Sequence, residues 1–314
     1  MIYIEQYKYE NNYNITEFFG GLSGYQKHWP AVFVSSTRLN YPGWITMVQN
    51  LLNGEERSKP LMCLANGPES VHNEMAKLLG MQGITFSVLS ACTSSAYAIY
   101  QAGLISADQG TPVVVACADT FSPAAMHWFN SLGAVSPDTG IPFDKNSRGF
   151  RPGLAQAMFV VSAKPINPVA CISNMRFMTQ PAERTAVGSI DEIKNMFEGI
   201  NLDNISWWNA HAPGTRVGDT AEFKLFSSFN KDIPISSLKG KLGHALASSY
   251  LLELGAAIDM VSQTVAPANV GIKDPIVDDD RIITSDVYMN TKKFIKFNMG
   301  FGGKNVLSVI DVFK

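Results

Sequence analysis

The sequence predicts an α/β protein whose sheets are covered on both faces. Three observations carry that expectation. Short apolar runs alternate with longer stretches of helical periodicity along the chain. The runs are bounded by turns, which suits strands buried between layers of helices. Each half of the chain also contains a strand–turn–helix unit whose helix is rich in small apolar residues.

The expected strands, in order, are Ala31–Ser35, Ile84–Leu89, Val113–Ala116, Met158–Ser162, Ile205–Asn209, Ile233–Ser236 and Val306–Val312. One long helix is expected from Cys92 to about Ile105, with Gly110 just beyond its end. A second runs from about Gly243 to Ser262. Two prolines punctuate Lys164-Pro165-Ile166-Asn167-Pro168, so a boundary is expected there, giving halves 1–165 and 166–314. The halves can share one layered core.

Composition narrows the function. The 314 residues are 46% hydrophobic and 17% charged, a globular balance with ample material for a core. The net charge is -2 and no Lys/Arg stripe occurs, which argues against nucleic acid as a partner. Met1 to Phe19 is polar and aromatic, with Glu5, Glu10 and Glu17, unlike a signal peptide. No apolar run approaches the length of a membrane span. The four cysteines, Cys63, Cys92, Cys117 and Cys171, show neither CxxC pairing nor His-rich spacing, so no zinc site is expected. Cys63, Cys117 and Cys171 lie in or beside apolar runs and read as buried thiols, in keeping with a reducing cytoplasm.

Cys92 differs from the other three. It sits between an apolar run and a helix, in Val88-Leu89-Ser90-Ala91-Cys92-Thr93-Ser94-Ser95-Ala96. A thiol at a helix N-terminus meets unpaired N–H groups and the positive end of the dipole, both of which favour the nucleophilic thiolate. Core packing explains the same pattern equally well. His211, in Asn209-Ala210-His211-Ala212-Pro213-Gly214-Thr215, follows another strand-like run, with Asp219 and Glu222 shortly after. That histidine reads equally as a strand end with an N-cap aspartate behind it. His244 opens the second long helix, close to Lys239. Three strand-to-helix turns thus each deliver one group suited to acyl chemistry. Asn298 through Asn305 is a glycine-rich turn before the last strand. It lacks the spacing of a nucleotide loop and serves either as a tight turn or as a backbone cradle for an oxyanion. His28, His72 and His127 have no such context and read as surface or packing residues.

Taken in order, these segments resemble the β-ketoacyl-acyl carrier protein synthases of the thiolase fold. Ala91-Cys92-Thr93-Ser94-Ser95-Ala96 is similar to the family's nucleophile motif, and Pro142-Phe143-Asp144-Lys145 with Arg148-Gly149-Phe150 to its central turn. His211-Ala212-Pro213-Gly214-Thr215 with Asp219 and Glu222 resembles the first histidine motif. Lys239-Gly240 with Gly243-His244 resembles the lysine and second histidine motif, and Asn298–Asn305 the C-terminal glycine motif. The resemblance implies two similar halves, each a mixed five-stranded sheet with helices, stacked in αβαβα layers. It implies a dimer in which Thr85–Leu89 pairs across the interface. It also implies that Cys92 carries an acyl chain, that the N–H groups of Cys92 and Phe301 bind the oxyanion, and that Phe301 and Gly302 gate the site. His211 and His244 would stabilise an enolate formed from a malonyl thioester, and Lys239 with Glu222, supported by Asp219, would order the site. Thr215 would contact the phosphopantetheine arm of an acyl carrier protein. No metal or intrinsic cofactor is implied.

The chain departs from the family in three ways. It is shorter, with the missing stretches before the nucleophile and between Phe150 and Trp207. Arg151-Pro152-Gly153-Leu154 stands where the family has a glycine–glutamate–glycine pattern, so a buried acid is absent. Pro213 replaces a threonine that contacts the carrier arm, a loss worth about 1 kcal/mol. Three readings follow. The leading one is an active condensing enzyme of polyketide or specialised fatty-acid-like synthesis. The second is a partner subunit like a chain-length factor in a ketosynthase heterodimer; the retained Cys92, His211, His244 and Lys239 count against it. The third is an acyltransferase that does not condense. A thiolase would want a second cysteine near the glycine turn, and none follows Cys171.

Overall fold

Valine-rich runs such as Val113-Val114-Val115 favour extended backbone, and here they are buried on both faces, as a sheet between helix layers requires. The computed structural model describes residues 1–36, 48–54, 70–120, 122–136, 138, 140–180 and 188–314. Cys63 lies outside the described residues.

The strands of the first half are β1 (Ile2–Glu10), β2 (Ala31–Val34), β3 (Thr85–Ser87), β4 (Val113–Asp119) and β5 (Ala155–Ser162). The second half supplies β6 (Ala170–Thr179), β7 (Trp208–Asn209), β8 (Ile235–Ser236), β9 (Val265–Ala266), β10 (Val287–Tyr288), β11 (Lys293–Gly300) and β12 (Lys304–Val312). Ten of them form one sheet in the order β3-β2-β4-β5-β1-β6-β12-β11-β7-β8, while β9 and β10 pair separately. The order β3-β2-β4-β5-β1 is matched strand for strand by β8-β7-β11-β12-β6. The directions match as well. β2 runs parallel to β3 and β4, as β7 does to β8 and β11. The pairs β4–β5 and β5–β1 are antiparallel, as are β11–β12 and β12–β6. The chain therefore builds one five-stranded topology twice. The copies join where Ile2, Tyr3 and Ile4 pair with Ile172, Cys171 and Ala170.

Burial defines the layers. The helices Ser94–Gln109 and Ser249–Ser262 share one apolar cluster with inward residues of both half-sheets, including Val32, Val115, Phe294 and Ile310. Outside the first half-sheet, Phe18 and Phe19 of one helix and Val71 and Met75 of another pack on Val114, Ala116 and Val160. Outside the second, Ile193, Leu225 and Phe226 pack on Trp208, Ile295 and Leu307. The result is helix, sheet, paired helices, sheet, helix, the αβαβα arrangement expected.

Each strand read from the sequence lies on or overlaps an observed one, although only Trp208–Asn209 of the fifth is paired. β1, β6, β11 and the short pair β9 and β10 were not expected. β1 carries Glu5, Gln6, Lys8 and Glu10 among its apolar residues, and β11 buries Lys296 and Asn298 completely. Polar residues inside the sheet hide these strands from a hydrophobicity reading. The first long helix begins at Ser94, with Cys92 in the turn before it. The second begins at Ser249 after a 3-10 turn over Leu246–Ser248. His244 therefore sits in a loop five residues ahead of the helix that it was expected to open.

Candidate active site

The nucleophile turn is built by side chains that substitute for helix hydrogen bonds. Ala91 takes φ 48, a left-handed conformation unusual for a residue with a Cβ. Ser94 Oγ accepts from Ser90 N at 2.6 Å and donates to Ala91 O at 2.6 Å, and Thr93 Oγ1 donates to Ser90 O at 2.7 Å. These bonds hold the turn in the conformation that turns Cys92 toward a pocket of about 480 Å³. The Cys92 thiol is reached by its own backbone N–H and by that of Phe301, and Lys239 favours its anion. Burial nevertheless outweighs these groups and pushes the thiol up to about 11, with Asp119 adding to the rise. The expectation of a ready thiolate is thus corrected: desolvation exceeds the combined pull of the amides and the lysine.

Cys92, His211, Pro213, Thr215, His244 and Phe301 line this same pocket. The two imidazoles are buried, their ring centroids 5.6 Å apart and their planes at 87°. Leu246 N donates to His244 Nδ1 at 3.2 Å, and Ser249 Oγ lies 2.8 Å from the same nitrogen. A nitrogen that accepts from a backbone N–H carries no proton, so the hydrogen of His244 resides on Nε2. Leu246 is held at φ 50, which presents that amide. His211 Nδ1 has no hydrogen-bond partner among the described residues. Burial, and next the Lys239 charge, lower both histidines: His244 to about 3 and His211 well below its ordinary value. Both rings are neutral near pH 7 and can serve as hydrogen-bond donors.

The loop after β7 is shaped by two carboxyls. Glu222 Oε1 accepts from His211 N at 2.9 Å and Oε2 from Ala212 N at 2.8 Å. Asp219 accepts from Phe143 N at 2.9 Å and Gly214 N at 3.2 Å, tying the central turn to this loop. Asp219 lies within the helix Arg216–Ser227, whose N-cap is Thr215, so the N-cap aspartate reading does not apply. Burial pushes both carboxyls up to about 7.

Lys239 differs from expectation in its partner. Its Nζ lies 2.6 Å from Glu253 Oε1, both side chains being 1% exposed. Glu222 is occupied by backbone N–H groups instead. Glu253, from the helix Ser249–Ser262, was missed, and so was Lys296, whose Nζ is 2.7 Å from Glu253 Oε2. Glu253 lies nine residues beyond His244 in an apolar helix, an acid flanked by Leu251, Leu252 and Leu254, and that was the available signal. Nothing local marked Lys296.

Where the family has a buried acid, the chain uses backbone packing. His244 N donates to Arg151 O at 2.7 Å and Gly153 N donates to His244 O at 3.0 Å. A Cβ at Gly153 would lie 2.6 Å from Leu242 O, so only glycine lets this segment approach the His244 loop. Above the pocket, the Phe301 ring lies 6.1 Å from Phe129, and Gly302 takes φ 82 in the turn. Phe150 packs edge-on against His244 at 5.0 Å. His72 is buried with Nδ1 2.7 Å from Ser87 Oγ, while His28 and His127 are exposed.

The chain matches the model of the beta-ketoacyl synthase N-terminal domain over residues 26–165 and that of its C-terminal domain over 170–273. It is 24% identical over 287 residues to nodulation protein E of Rhizobium sp. strain N33, covering 83% of this chain and 69% of that protein. It is 29% identical over 270 residues to the tetracenomycin polyketide synthase ketoacyl synthase alpha subunit of Streptomyces glaucescens, covering 77% of this chain but 63% of the relative. Against a highly reducing polyketide synthase of Aspergillus terreus it is 25% identical and spans 12% of that protein. Among solved structures, a beta-ketoacyl synthase from Burkholderia phymatum superposes with a TM-score of 0.79 at 20% identity, over 91% of this chain and 76% of that one. A ketosynthase in complex with its chain length factor, from Xenorhabdus doucetiae, gives 0.74 at 20% identity, over 91% and 75%.

Proposed function

The chain belongs to the beta-ketoacyl synthase family, and on that premise we propose that it catalyses decarboxylative condensation of an acyl thioester with a malonyl thioester. One observation carries the reading: a cysteine and two neutral, buried imidazoles face one pocket. Cys92 sulfur attacks the acyl thioester carbonyl. A carbon–sulfur bond forms, and the departing carrier thiol takes the proton. The N–H groups of Cys92 and Phe301 are suited to the tetrahedral oxyanion. The malonyl carboxylate then leaves as carbon dioxide, and its bonding pair passes into an enolate. The enolate oxygen would accept from His244 Nε2–H and from His211. The enolate carbon attacks the acyl group, a carbon–carbon bond forms, and the Cys92 thiolate is released.

In this reading Lys239 supplies positive charge, Glu222 and Asp219 position the His211 loop, and Phe301 with Gly302 forms a gate. Thr215 contacts the phosphopantetheine arm of an acyl carrier protein. The halves 1–165 and 166–314 act as a nucleophile half and a His/His/Lys half, a division supported by the repeated strand order. Among the described residues no helix is long and apolar enough to cross a membrane. Among the described residues Cys92, Cys117 and Cys171 are unpaired thiols, which favours a cytoplasmic setting.

A second subunit fits the open edge of the sheet. β3 is an outermost strand, and Ile84 and Leu89 beside it are 59% and 72% exposed. An edge strand flanked by exposed apolar residues is suited to continuing its sheet into another chain, either a copy or a related partner.

The test is acylation followed by turnover. Incubated with acyl-loaded carrier protein, the protein should gain the acyl mass, and Cys92→Ala should not. With malonyl-loaded carrier protein added, carbon dioxide and a lengthened product should appear. Acylation without carbon dioxide would instead support a non-condensing acyltransferase. No acylation, but restored activity on adding a candidate ketosynthase, would support the partner-subunit reading.

A further inference from the structure

Behind the pocket, two buried lysines share one carboxylate. Glu253 lies between two lysines, with Lys239 Nζ 2.6 Å from Oε1 and Lys296 Nζ 2.7 Å from Oε2. The Glu253 and Lys239 side chains are 1% exposed and that of Lys296 is 0% exposed. Lys296 also donates to Asn209 Oδ1 at 3.0 Å, and its Nζ lies 5.3 Å from the centre of the Tyr250 ring. A fully buried lysine is costly unless paired and hydrogen-bonded, and Lys296 meets that requirement by drawing on the carboxylate that also serves Lys239. With both lysines protonated and Glu253 ionised, the triad carries one excess positive charge.

We propose that Lys296 is a positioning residue for Cys92: by sharing the Glu253 carboxylate it leaves Lys239 incompletely neutralised, so that Lys239 presents positive charge to the nucleophile. A lone Lys239–Glu253 pair would be a compact dipole whose field falls off quickly. With the carboxylate shared, part of the Lys239 charge remains effective at the thiol. The titratable groups facing this network are Glu222 and Asp219, from the helix Arg216–Ser227, His211, beyond β7, and His244. Those acting on Cys92 itself are Lys239 and Asp119. Lys239 is the larger influence and favours the thiolate; Asp119 opposes it. Glu253 is held below its ordinary carboxylate range by the two lysines against the opposing effect of burial, and burial lowers Lys296 to about 8. The effect should therefore be present at neutral pH and fade as pH rises through about 8.

The inference rests on Cys92 being the nucleophile, but its test does not need condensation to occur. Alkylation by iodoacetamide, read by mass on the peptide that contains Cys92 and so kept apart from the other three cysteines, reports its thiolate. Lys296→Met should slow alkylation about tenfold at pH 7, the change that one unit of thiol pKa produces. The difference should shrink above pH 9, where the native lysine has lost its proton. Lys296→Arg should restore the native profile at pH 7. Should Lys296→Met fail to fold, Lys296→Gln tests the same idea: it removes the charge but keeps a donor for Asn209, and alkylation should again slow at pH 7, with the difference shrinking above pH 9. Equal slowing at every pH, or no change in a folded Lys296→Met or Lys296→Gln, would overturn the proposal. Loss of carbon dioxide release with these alkylation profiles intact would count against the condensing reading alone.

Discussion

At the scale of single residues, the site depends on where protons sit. His244 has its tautomer set by the Leu246 amide, which leaves Nε2–H for a substrate oxygen. Burial and the Lys239 charge keep the ring neutral until about pH 3. With Cys92 already acylated, so that thiol ionisation no longer enters, the expected consequence is carbon dioxide release that does not fall as pH drops from 6 to 5, below the Asp219 and Glu222 values of about 7. A pH–rate profile halving near the ordinary histidine value of about 6.5 would contradict it. Stability carries the same signature. Below about pH 6.5 the unfolded chain protonates both histidines and the folded chain does not, so these two groups weaken the fold as pH falls. Asp219 and Glu222 act in the opposite sense. With folded values of about 7, they retain protons that the unfolded chain releases above about pH 4. Their contribution is present below about 4 and is lost as pH rises through 7. Chemical denaturation should therefore show a shallow pH dependence for this site between about 4.5 and 6.5, and a steeper loss below 4 as the histidine contribution continues alone.

At the scale of elements, the site is assembled from loops held by backbone contact. The segment Arg151–Gly153 and the His244 loop exchange hydrogen bonds of 2.7 and 3.0 Å. Gly153→Ala would set a methyl against the Leu242 carbonyl at 2.6 Å and force the loops apart. We expect carbon dioxide release to fall on the order of a hundredfold, the cost of displacing a reacting group by about 1 Å. Stability should drop by about 1–3 kcal/mol in urea unfolding. Gly20→Ala, where an added methyl would meet nothing within 4 Å, should change neither and serves as the control. Much of this level was readable in advance. The Cys92 turn, the His211 loop and the glycine turn fell where the apolar runs stopped. The polar strands β1 and β11 were not readable. Hydrophobic patterning sees burial only through apolar residues, and Lys296 and Asn298 are buried polar ones.

At the scale of the whole molecule, a doubled topology places the nucleophile and the histidines on different halves. Cys92 precedes the helix Ser94–Gln109, and His244 precedes the helix Ser249–Ser262. These two helices pack as partners in the central layer, so their leading turns face one pocket. The same architecture leaves β3 at an open edge. Ile84→Asp combined with Leu89→Asp should halve the mass seen by sedimentation in a sample containing this chain alone, if the native protein self-associates there. A native monomer that binds a related subunit, with the double variant losing that binding, would identify the edge as a heteromeric interface.

The sequence by itself determined the layered α/β class, the family resemblance and the residues Cys92, His211, His244 and Lys239, because each depends on patterning within short segments. Tertiary structure alone decided how those residues are charged and paired. Glu253, not Glu222, is the partner of Lys239; the Cys92 thiol is raised rather than lowered; and Lys296 joins the site from a strand 43 residues beyond Glu253. Ionisation depends on desolvation and on charges brought together across the fold, and neither is a property of neighbouring positions in the chain.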